Sequence, residues 1–194
     1  MKVCTDACLF GAFINLEPNS SVLDIGSGTG LLSLMLAQRF EQATFTGVEI
    51  DQDACTQAAQ NVANSAYFAR IQMVHAKIQD FNYPARFDTI ISNPPFFQED
   101  LKSPTEKKNQ AHHAVTLNFE DLLSSIERLL KETGNFFILL PTNEAAVFQQ
   151  YAARNGWYLL QNLTVRNSSI HKPFRQIMKF SRFKMTTNLL EDNV

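Results

Sequence analysis

Short apolar runs alternate along this chain with longer segments in which apolar residues recur every three or four positions. The short runs are rich in β-branched and aromatic residues and are bounded by turn residues, as is typical of strands buried on both faces of a sheet. The longer segments have the period of amphipathic helices. Strands are predicted at 22–25, 44–49, 71–75, 88–92 and 135–140, and helices at 31–40, 53–64, 119–131 and 143–155. This alternation predicts a parallel sheet covered by helices.

The end of the chain departs from this alternation. Two long strand-like runs, 157–166 and 174–183, follow each other with no helix between them, which predicts an antiparallel pair. Together with the five earlier strands they predict an α/β fold with a mostly parallel seven-stranded sheet, one antiparallel C-terminal strand and helices on both faces. Gly134 and Gly156 each follow a predicted helix and are expected to end it.

Length and composition narrow the class of protein. A chain of 194 residues with 45% hydrophobic content has enough apolar side chains for one core, so residues 1–194 are expected to form a single domain. Three cysteines, an odd number, argue against a disulfide framework and favour a reducing cytoplasm. The longest apolar stretch, 8–16, is too short to span a bilayer and is expected to be a core helix, so no membrane association is predicted.

A glycine-rich turn lies between the first predicted strand and the first sheet helix. Residues 24–30 read Asp-Ile-Gly-Ser-Gly-Thr-Gly, with glycines at the first, third and fifth positions, whereas a dinucleotide fingerprint needs the first, third and sixth. Glycines allow the backbone to approach a ligand closely. The carboxylate of Asp24 suits a cofactor that carries an ammonium group and would repel a pyrophosphate. This spacing resembles the S-adenosylmethionine loop of class I methyltransferases; the alternative is an ordinary strand-to-helix turn.

A second carboxylate, that of Glu49, ends the second predicted strand. At that position, about twenty residues beyond the loop, a carboxylate can accept hydrogen bonds from both ribose hydroxyls of a nucleoside, and Ile50 would pack on its adenine. The alternative is a helix-capping acid. The loop and Glu49 together predict a cofactor site formed by Asp24, Gly26, Ser27, Gly28, Gly30, Glu49 and Ile50.

The stretch Ser-Asn-Pro-Pro-Phe-Phe, residues 92–97, follows the fourth strand at the sheet edge where α/β proteins bind ligands. An exocyclic amine is a poor nucleophile because its lone pair is delocalised into the ring. If the Asn93 side-chain oxygen and the Pro94 carbonyl each accept one N–H, the lone pair is directed at a methyl group. Phe96 would stack on the planar substrate. The alternative is a turn whose phenylalanines fill the core. We predict Asn93, Pro94 and Phe96 as catalytic residues, Asn93 also beside the cofactor, and Pro95 and Phe97 as substrate contacts.

A resemblance covers nearly the whole chain. Residues 1–12, which read Met-Lys-Val-Cys-Thr-Asp-Ala-Cys-Leu-Phe-Gly-Ala, the 93–97 segment and Pro-Phe-Arg at 173–175 resemble the bacterial tRNA-Val adenine-N6 methyltransferase family. The resemblance implies a Rossmann-like class I fold and S-adenosyl-L-methionine as methyl donor, with S-adenosyl-L-homocysteine as product. It implies as substrate the flipped adenine immediately 3′ of the anticodon, held by residues 93–96. It also implies that Lys2, Thr5 and Asp6 lie beside the methionine end of the cofactor.

The chain departs from the family pattern in two places. Relatives commonly begin some tens of residues upstream with a basic, aromatic segment, so this chain is expected to lack that segment. Relatives also have an acid in an Ala-acid-Ile-Gln sequence after the third strand, where this chain has Lys77. Either Asp80 or the backbone of Ile78 takes its place beside the cofactor adenine.

Charge is segregated along the chain although the formal net charge is only −2. Residues 161–184 hold six Lys or Arg and no Asp or Glu, whereas residues 1–90 hold five Lys or Arg and nine Asp or Glu. The basic segment predicts phosphate contacts at Arg166, Lys172 and Arg175, with solvated edge lysines as the alternative. The basic residues Lys102, Lys107 and Lys108 are further RNA candidates. No metal is expected, because His112 and His113 have no suitably spaced third ligand.

Three other activities remain open on the sequence alone. A similar Asn-Pro-Pro-Phe tetrad, as at residues 93–96 here, occurs in ribosomal-RNA guanine-N2 methyltransferases. A related tetrad occurs in protein-glutamine methyltransferases. A cofactor-binding module without catalysis, acting as an RNA chaperone, is the third. We expect a cytoplasmic, monomeric tRNA methyltransferase.

Overall fold

A computed structural model describes residues 4–94, 119–168, 170–184 and 190–193. Its elements alternate between strands and helices as far as the fifth strand and its following helix, and the chain then ends in strands. In chain order they are α1 (Thr5–Phe13), β1 (Ser21–Ile25), α2 (Leu31–Arg39), β2 (Thr44–Glu49), α3 (Gln52–Ala63), a 3₁₀ turn (Phe68–Arg70), β3 (Ile71–His75), β4 (Phe87–Ser92), α4 (Phe119–Leu129), β5 (Leu130–Pro141), α5 (Thr142–Arg154), β6 (Tyr158–Val165), β7 (Arg175–Ser181) and β8 (Leu190–Asn193).

All eight of these strands form one sheet in the order β3-β2-β1-β4-β5-β7-β6-β8. Strands β1 to β5 are mutually parallel, β7 is antiparallel to both β5 and β6, and β8 is parallel to β6. Among the described strands β7 therefore is the one reversed strand. The predicted mostly parallel sheet with one antiparallel C-terminal strand is confirmed. The structure adds an eighth strand of four residues at the edge, which the sequence pattern did not predict.

Helices cover both faces of the sheet, as predicted, and each face has its own apolar core. Helices α1, α2 and α3 contribute side chains to one core, and α4 and α5 contribute to the other. Successive residues of β5 show why the strands have continuous apolar sequences, because Phe136 and Ile138 belong to the second core while Phe137 and Leu139 belong to the first. A strand buried on both faces cannot alternate between apolar and polar residues.

The junction between α4 and β5 differs from the prediction. Helix α4 ends at Leu129, two residues early, and Gly134 lies inside β5, so the expectation that Gly134 ends a helix is wrong. The β4–β5 register jumps from Phe87 opposite Leu130 to Thr89 opposite Asn135. A Cβ atom at Gly134 would lie 2.8 Å from the carbonyl oxygen of Asp88, so the glycine is required by close backbone approach. Gly156, with φ of 77°, follows α5 as expected.

Helix α1 is the predicted N-terminal core helix, and it runs opposite to the parallel strands. Near its C-terminal end Phe13 packs edge-to-face on Phe137, with ring centroids 6.4 Å apart. At its N-terminal end Asp6 contacts Arg175, which lies opposite the last residue of β5. The N-terminus of α1 therefore lies at the carboxyl edge of the sheet. Within the described ranges, no helix has the length and apolar character needed to cross a bilayer.

Candidate active site

The carboxyl edge of the sheet brings the predicted site segments together around β1. Strand β1 pairs with β2 on one side and with β4 on the other, so the chain changes direction across the sheet at this point. Ile25, the last residue of β1, lies opposite both Val48 and Ser92, and the Ser92 hydroxyl donates to the Ile25 carbonyl oxygen at 3.0 Å. The loop after β1, Glu49 and Asn93 thus meet at a topological switch point, the usual ligand crevice of an open α/β sheet.

The glycine-rich loop adopts a conformation that needs its glycines. Gly26, Gly28 and Gly30 all have positive φ angles, 71°, 56° and 81°. The amides of Gly26 and Ser27 donate to the Val48 carbonyl oxygen at 2.9 and 3.2 Å, which holds the loop against the end of β2. Residues with side chains rarely adopt three left-handed conformations in five positions. Gly30 is the N-cap of α2, so the loop delivers the chain directly into that helix.

Each oxygen of the Glu49 carboxylate accepts a hydrogen bond from a backbone amide. The Gly28 amide donates to Oε2 at 2.7 Å and the Asp51 amide donates to Oε1 at 2.9 Å. The residue is 9% exposed. Each carboxylate oxygen has more than one acceptor site, so these two bonds orient the group and leave capacity for further donors. The sequence predicted this carboxylate but not the amides that fix it, because their approach depends on the loop conformation.

Asp24 is fully buried beneath the loop, and only one of its oxygens has a partner in the described structure. The hydroxyl of Ser33, on α2, donates to Oδ2 at 2.8 Å, whereas Oδ1 accepts no hydrogen bond from any residue that the structure describes. The pKa of Asp24 is raised to about 7, mainly by burial; the Ser33 hydrogen bond opposes the shift and the negative charge of Glu49 adds to it. A buried, half-satisfied carboxylate is well suited to receive a positively charged group.

Two further predicted cofactor contacts lie on neighbouring turns. Ile50 is 45% exposed, an apolar side chain open at the rim of the site. The Ile78 side chain is instead part of the core, and its carbonyl oxygen accepts from the Arg128 guanidinium at 2.8 Å. A contact from Ile78 to the cofactor would therefore come from its backbone, and this prediction stays open. Lys77 and Asp80 are both exposed.

The N-terminal and tetrad residues are described in part. Thr5 is exposed at the start of α1, and Asp6, in its first turn, forms an ion pair with Arg175. Asn93 is half-buried and Pro94 is buried directly after β4. The other candidates lie outside the described residues: Lys2, Pro95, Phe96, Phe97, Lys102, Lys107, Lys108, His112 and His113.

The basic C-terminal hairpin has fewer free cations than its sequence suggests. Arg166, Lys172 and Lys184 are exposed. Lys179 lies 5.2 Å from the centroid of the Phe137 ring, and burial lowers its pKa. The remaining two of the six cations form ion pairs: Arg175 with Asp6, and Arg182, which also stacks on Trp157, with Glu127.

Comparison with known proteins decides the family. The model of the family described as "Methyltransferase domain" matches residues 16–183. The chain is 50% identical over 190 residues to the tRNA1(Val) (adenine(37)-N6)-methyltransferase of Dyadobacter fermentans, covering 98% of this chain and 79% of that protein. The chain belongs to the tRNA1(Val) (adenine(37)-N6)-methyltransferase family. A second relative with the same name, from Pseudoalteromonas translucida, is 42% identical over 181 residues, 93% of this chain and 78% of that protein.

Solved structures place this family member among the class I methyltransferases by fold. A protein of Agrobacterium tumefaciens described as a predicted O-methyltransferase superposes with a TM-score of 0.73 at 19% identity, covering 97% of this chain and 86% of that one. TrmK of M. capricolum, solved with S-adenosyl-homocysteine, superposes with a TM-score of 0.64 at 13% identity, covering 98% of this chain and 71% of that one. Within the described residues of this methyltransferase, no group of three His, Cys, Asp or Glu is placed to hold a metal ion.

Proposed function

We propose that this protein transfers a methyl group from S-adenosylmethionine to N6 of adenine 37 in tRNA1(Val), the adenine immediately 3′ of the anticodon. One observation carries the proposal: a relative with this printed activity is 50% identical along 98% of the chain. The site supports it, since a glycine loop, two acidic side chains and Asn93 lie at one sheet edge. We further propose that the protein acts as a monomer in the cytoplasm.

The residues at the carboxyl edge fit S-adenosylmethionine. Asp24 Oδ1 is a buried carboxylate oxygen without a described partner, suited to the ammonium group of the methionine portion. The Glu49 carboxylate is already oriented by the amides of Gly28 and Asp51, suited to two ribose hydroxyls. When bound, the cofactor supplies an electrophilic methyl group. We assign Ile50 to the adenine ring and Thr5 and Asp6 to the methionine end.

The substrate amine is activated by hydrogen-bond acceptors in this proposal. Asn93 extends from the end of β4, where Ser92 is tied to Ile25 and hence to the start of the glycine loop. The Asn93 side-chain oxygen and the Pro94 carbonyl each accept one N–H of the adenine amine, which directs the nitrogen lone pair toward the methyl group. Positioning and fixed dipoles supply the rate enhancement. The donor would leave as S-adenosylhomocysteine, and the methylated nitrogen would then lose one proton to water. The adenine must leave its stack to reach this edge.

The exposed cations of the C-terminal hairpin, Arg166 and Lys172, are the proposed phosphate contacts. Both lie on the connection between β6 and β7, which reaches the same carboxyl edge as Asn93 because β7 begins opposite the end of β5. When exposed Lys or Arg side chains pair with phosphates, the counterions condensed on the RNA are released, which favours binding. The acidic residues of the cofactor side offset the basic residues of this connection in the net charge of −2, so a small net charge is compatible with a local RNA-binding site.

The decisive test supplies unmodified tRNA1(Val) and methyl-labelled cofactor. We expect label in N6-methyladenine after digestion, and none when adenine 37 of the tRNA is replaced by guanine. Label in methylguanosine would instead support the ribosomal-RNA guanine activity, tested with ribosomal RNA in parallel. Label in protein would support glutamine methylation. Cofactor binding without label in any fraction would favour the catalytically idle module and contradict the proposal.

Replacing Glu49 by glutamine is expected to raise the Kd for S-adenosylmethionine by about 10–100-fold, the equivalent of one lost charge-assisted contact and one unsatisfied amide. A glutamine side chain has only one accepting oxygen, so its amide group must face either the Gly28 or the Asp51 N–H donor. Isothermal titration calorimetry measures the change.

The matched control is Glu41→Gln, an exposed acid on the turn before β2, which should leave the Kd unchanged. Equal affinities for the wild type and Glu49→Gln would show that Glu49 does not hold the cofactor.

A further inference from the structure

The two terminal segments of this chain meet through one ion pair. The Arg175 Nε donates to Asp6 Oδ2 at 2.9 Å, across 169 positions of sequence. The Asp6 side chain is 16% exposed and that of Arg175 is 32% exposed, so the pair is largely shielded from solvent. Asp6 also accepts from the Ala7 amide through Oδ1 at 2.9 Å. Both carboxylate oxygens therefore have a donor, and the orientation of the group is fixed.

Arg175 comes from a rigid corner of the sheet. It is the first residue of β7 and lies opposite Pro141, the last residue of β5, and Val165, the last residue of β6. The preceding residue is fixed too, because the Phe174 amide donates to the Val165 carbonyl at 3.0 Å and the Phe174 carbonyl accepts from the Thr142 amide at 3.3 Å. The backbone of Arg175 lies among three strand ends, so its side chain starts from a fixed position and gives Asp6 a well-defined partner.

Helix α1 is held at both ends, and Arg175 supplies a contact at the end nearest the site. At the C-terminal end the Arg39 guanidinium donates to the carbonyl oxygens of Gly11 and Ile14. At the same end, Gly11 packs so closely on α2 that a Cβ there would lie 3.0 Å from Met35. The N-terminal end faces the carboxyl edge, and Asp6 is in its first turn. At that end the ion pair with Arg175 ties α1 to the sheet.

We propose that Arg175 is a positioning residue of the cofactor site, which orients Asp6 and the N-terminus of α1, and that it is not a phosphate contact of the RNA. The inference rests on the proposed function in that Asp6 is taken to border the methionine end of the cofactor. It reverses the role that the sequence predicted for Arg175. An ion pair that is already formed carries no net charge to attract phosphate, whereas Arg166 and Lys172 are exposed.

Arg175→Gln tests the proposal, with Lys172→Gln in the same connection as matched control. We expect Arg175→Gln to raise both the Kd and the KM for S-adenosylmethionine about tenfold, with a smaller change in kcat and an unchanged salt dependence of tRNA binding. Lys172→Gln should do the opposite, leaving cofactor affinity unchanged and reducing the slope of log K against log salt by about one. Arg175→Lys keeps the charge and should restore part of the cofactor affinity.

A double-mutant cycle removes the ambiguity of a merely structural role. Asp6→Asn and Arg175→Gln break the same ion pair, so the double variant should bind cofactor no more weakly than the weaker single variant. If the losses of cofactor-binding free energy in the two single variants add up in the double variant, the proposal is overturned. It would also be overturned by an unchanged cofactor Kd in Arg175→Gln, or by a reduced salt slope like that of the control.

The readouts separate this inference from the proposed activity. Calorimetry with S-adenosylmethionine needs no RNA. The cofactor Kd of the variants therefore decides the role of Arg175 even if tRNA1(Val) is not methylated. Thermal unfolding is measured for each variant. If Arg175→Gln does not fold, Arg175→Lys compared with Asp6→Asn gives the same decision, since both weaken the pair: a cofactor Kd unchanged in both would overturn the proposal.

Discussion

Replacing Asn93 by alanine is expected to lower kcat by about 10²–10³-fold, the loss seen when one preorganised polar contact to a reacting group is removed. The reason lies in the nucleophile, because the adenine amine gains reactivity only when acceptors fix its N–H bonds. Cofactor affinity should change little, since the proposed cofactor carboxylates lie on β1 (Asp24) and at the end of β2 (Glu49), whereas Asn93 follows β4. Single-turnover methyl transfer to tRNA1(Val) measures the rate, and calorimetry measures the cofactor Kd.

Asn93→Asp is the informative comparison for this prediction. Aspartate keeps an accepting oxygen at the same place, replaces the side-chain NH2 by a second accepting oxygen and adds a negative charge. Its rate should therefore exceed that of the alanine variant. If alanine and aspartate variants are equally impaired, acceptance of an amine N–H is not the role of this side chain. Asn15, exposed after α1 and remote from this edge, provides an Asn→Ala control.

The free energy of unfolding of the cofactor-free protein is expected to fall by about 3 kcal/mol between pH 5 and pH 8 through Asp24 alone. Its pKa is raised from 3.8 to about 7 in the folded state, mainly by burial. The folded protein therefore binds more protons than the unfolded chain across this window, and stability present at low pH is lost as pH rises through 7. Urea denaturation at the two pH values measures the effect.

Asp24→Asn isolates the contribution of this carboxyl from all other titrating groups. The variant never ionises, so its stability should fall less between pH 5 and pH 8 than that of the wild type, by about the same 3 kcal/mol. It should also bind S-adenosylmethionine more weakly, because the buried negative charge is gone. Saturating cofactor should reduce the pH dependence of the wild type, since an ammonium group at Oδ1 favours the ionised form. If the free energies of unfolding of the wild type and Asp24→Asn fall by the same amount between pH 5 and pH 8, the raised pKa of Asp24 is not the cause of the pH dependence.

The geometry of the glycine-rich loop in the candidate cofactor site could be predicted from sequence because it depends on local features. Three glycines at alternate positions predict left-handed turns, and a carboxylate at a strand end predicts a hydroxyl or ammonium partner. The structure places Gly26, Gly28 and Gly30 in that conformation and Glu49 beside them. The succession of strands and helices along the chain followed equally well from the alternation of apolar runs and amphipathic segments.

The features that sequence missed all depend on residues distant in the chain. Gly134 follows a helix pattern, but its position is set by contact with Asp88 on the neighbouring strand. Ser33 has nothing in its local sequence to show that it donates to Asp24. The six cations of residues 161–184 could be counted, yet which of them are neutralised depends on acids such as Asp6 and Glu127. Pairing across the fold is invisible to a local pattern.

The position of β7 between β5 and β6 also constrains the order in which this protein can be assembled. Strand β6 is synthesised before β7 but lies beyond it in the sheet, so it has no place to pair until β7 exists. Until then β5, with Phe137 and Leu139, is an unprotected edge strand in the nascent chain. The pairing of β7 closes that edge and at the same time brings Arg175 to Asp6. Strand β7, the last long strand among the described residues, thus protects the sheet from aggregation and completes the proposed cofactor side of the site.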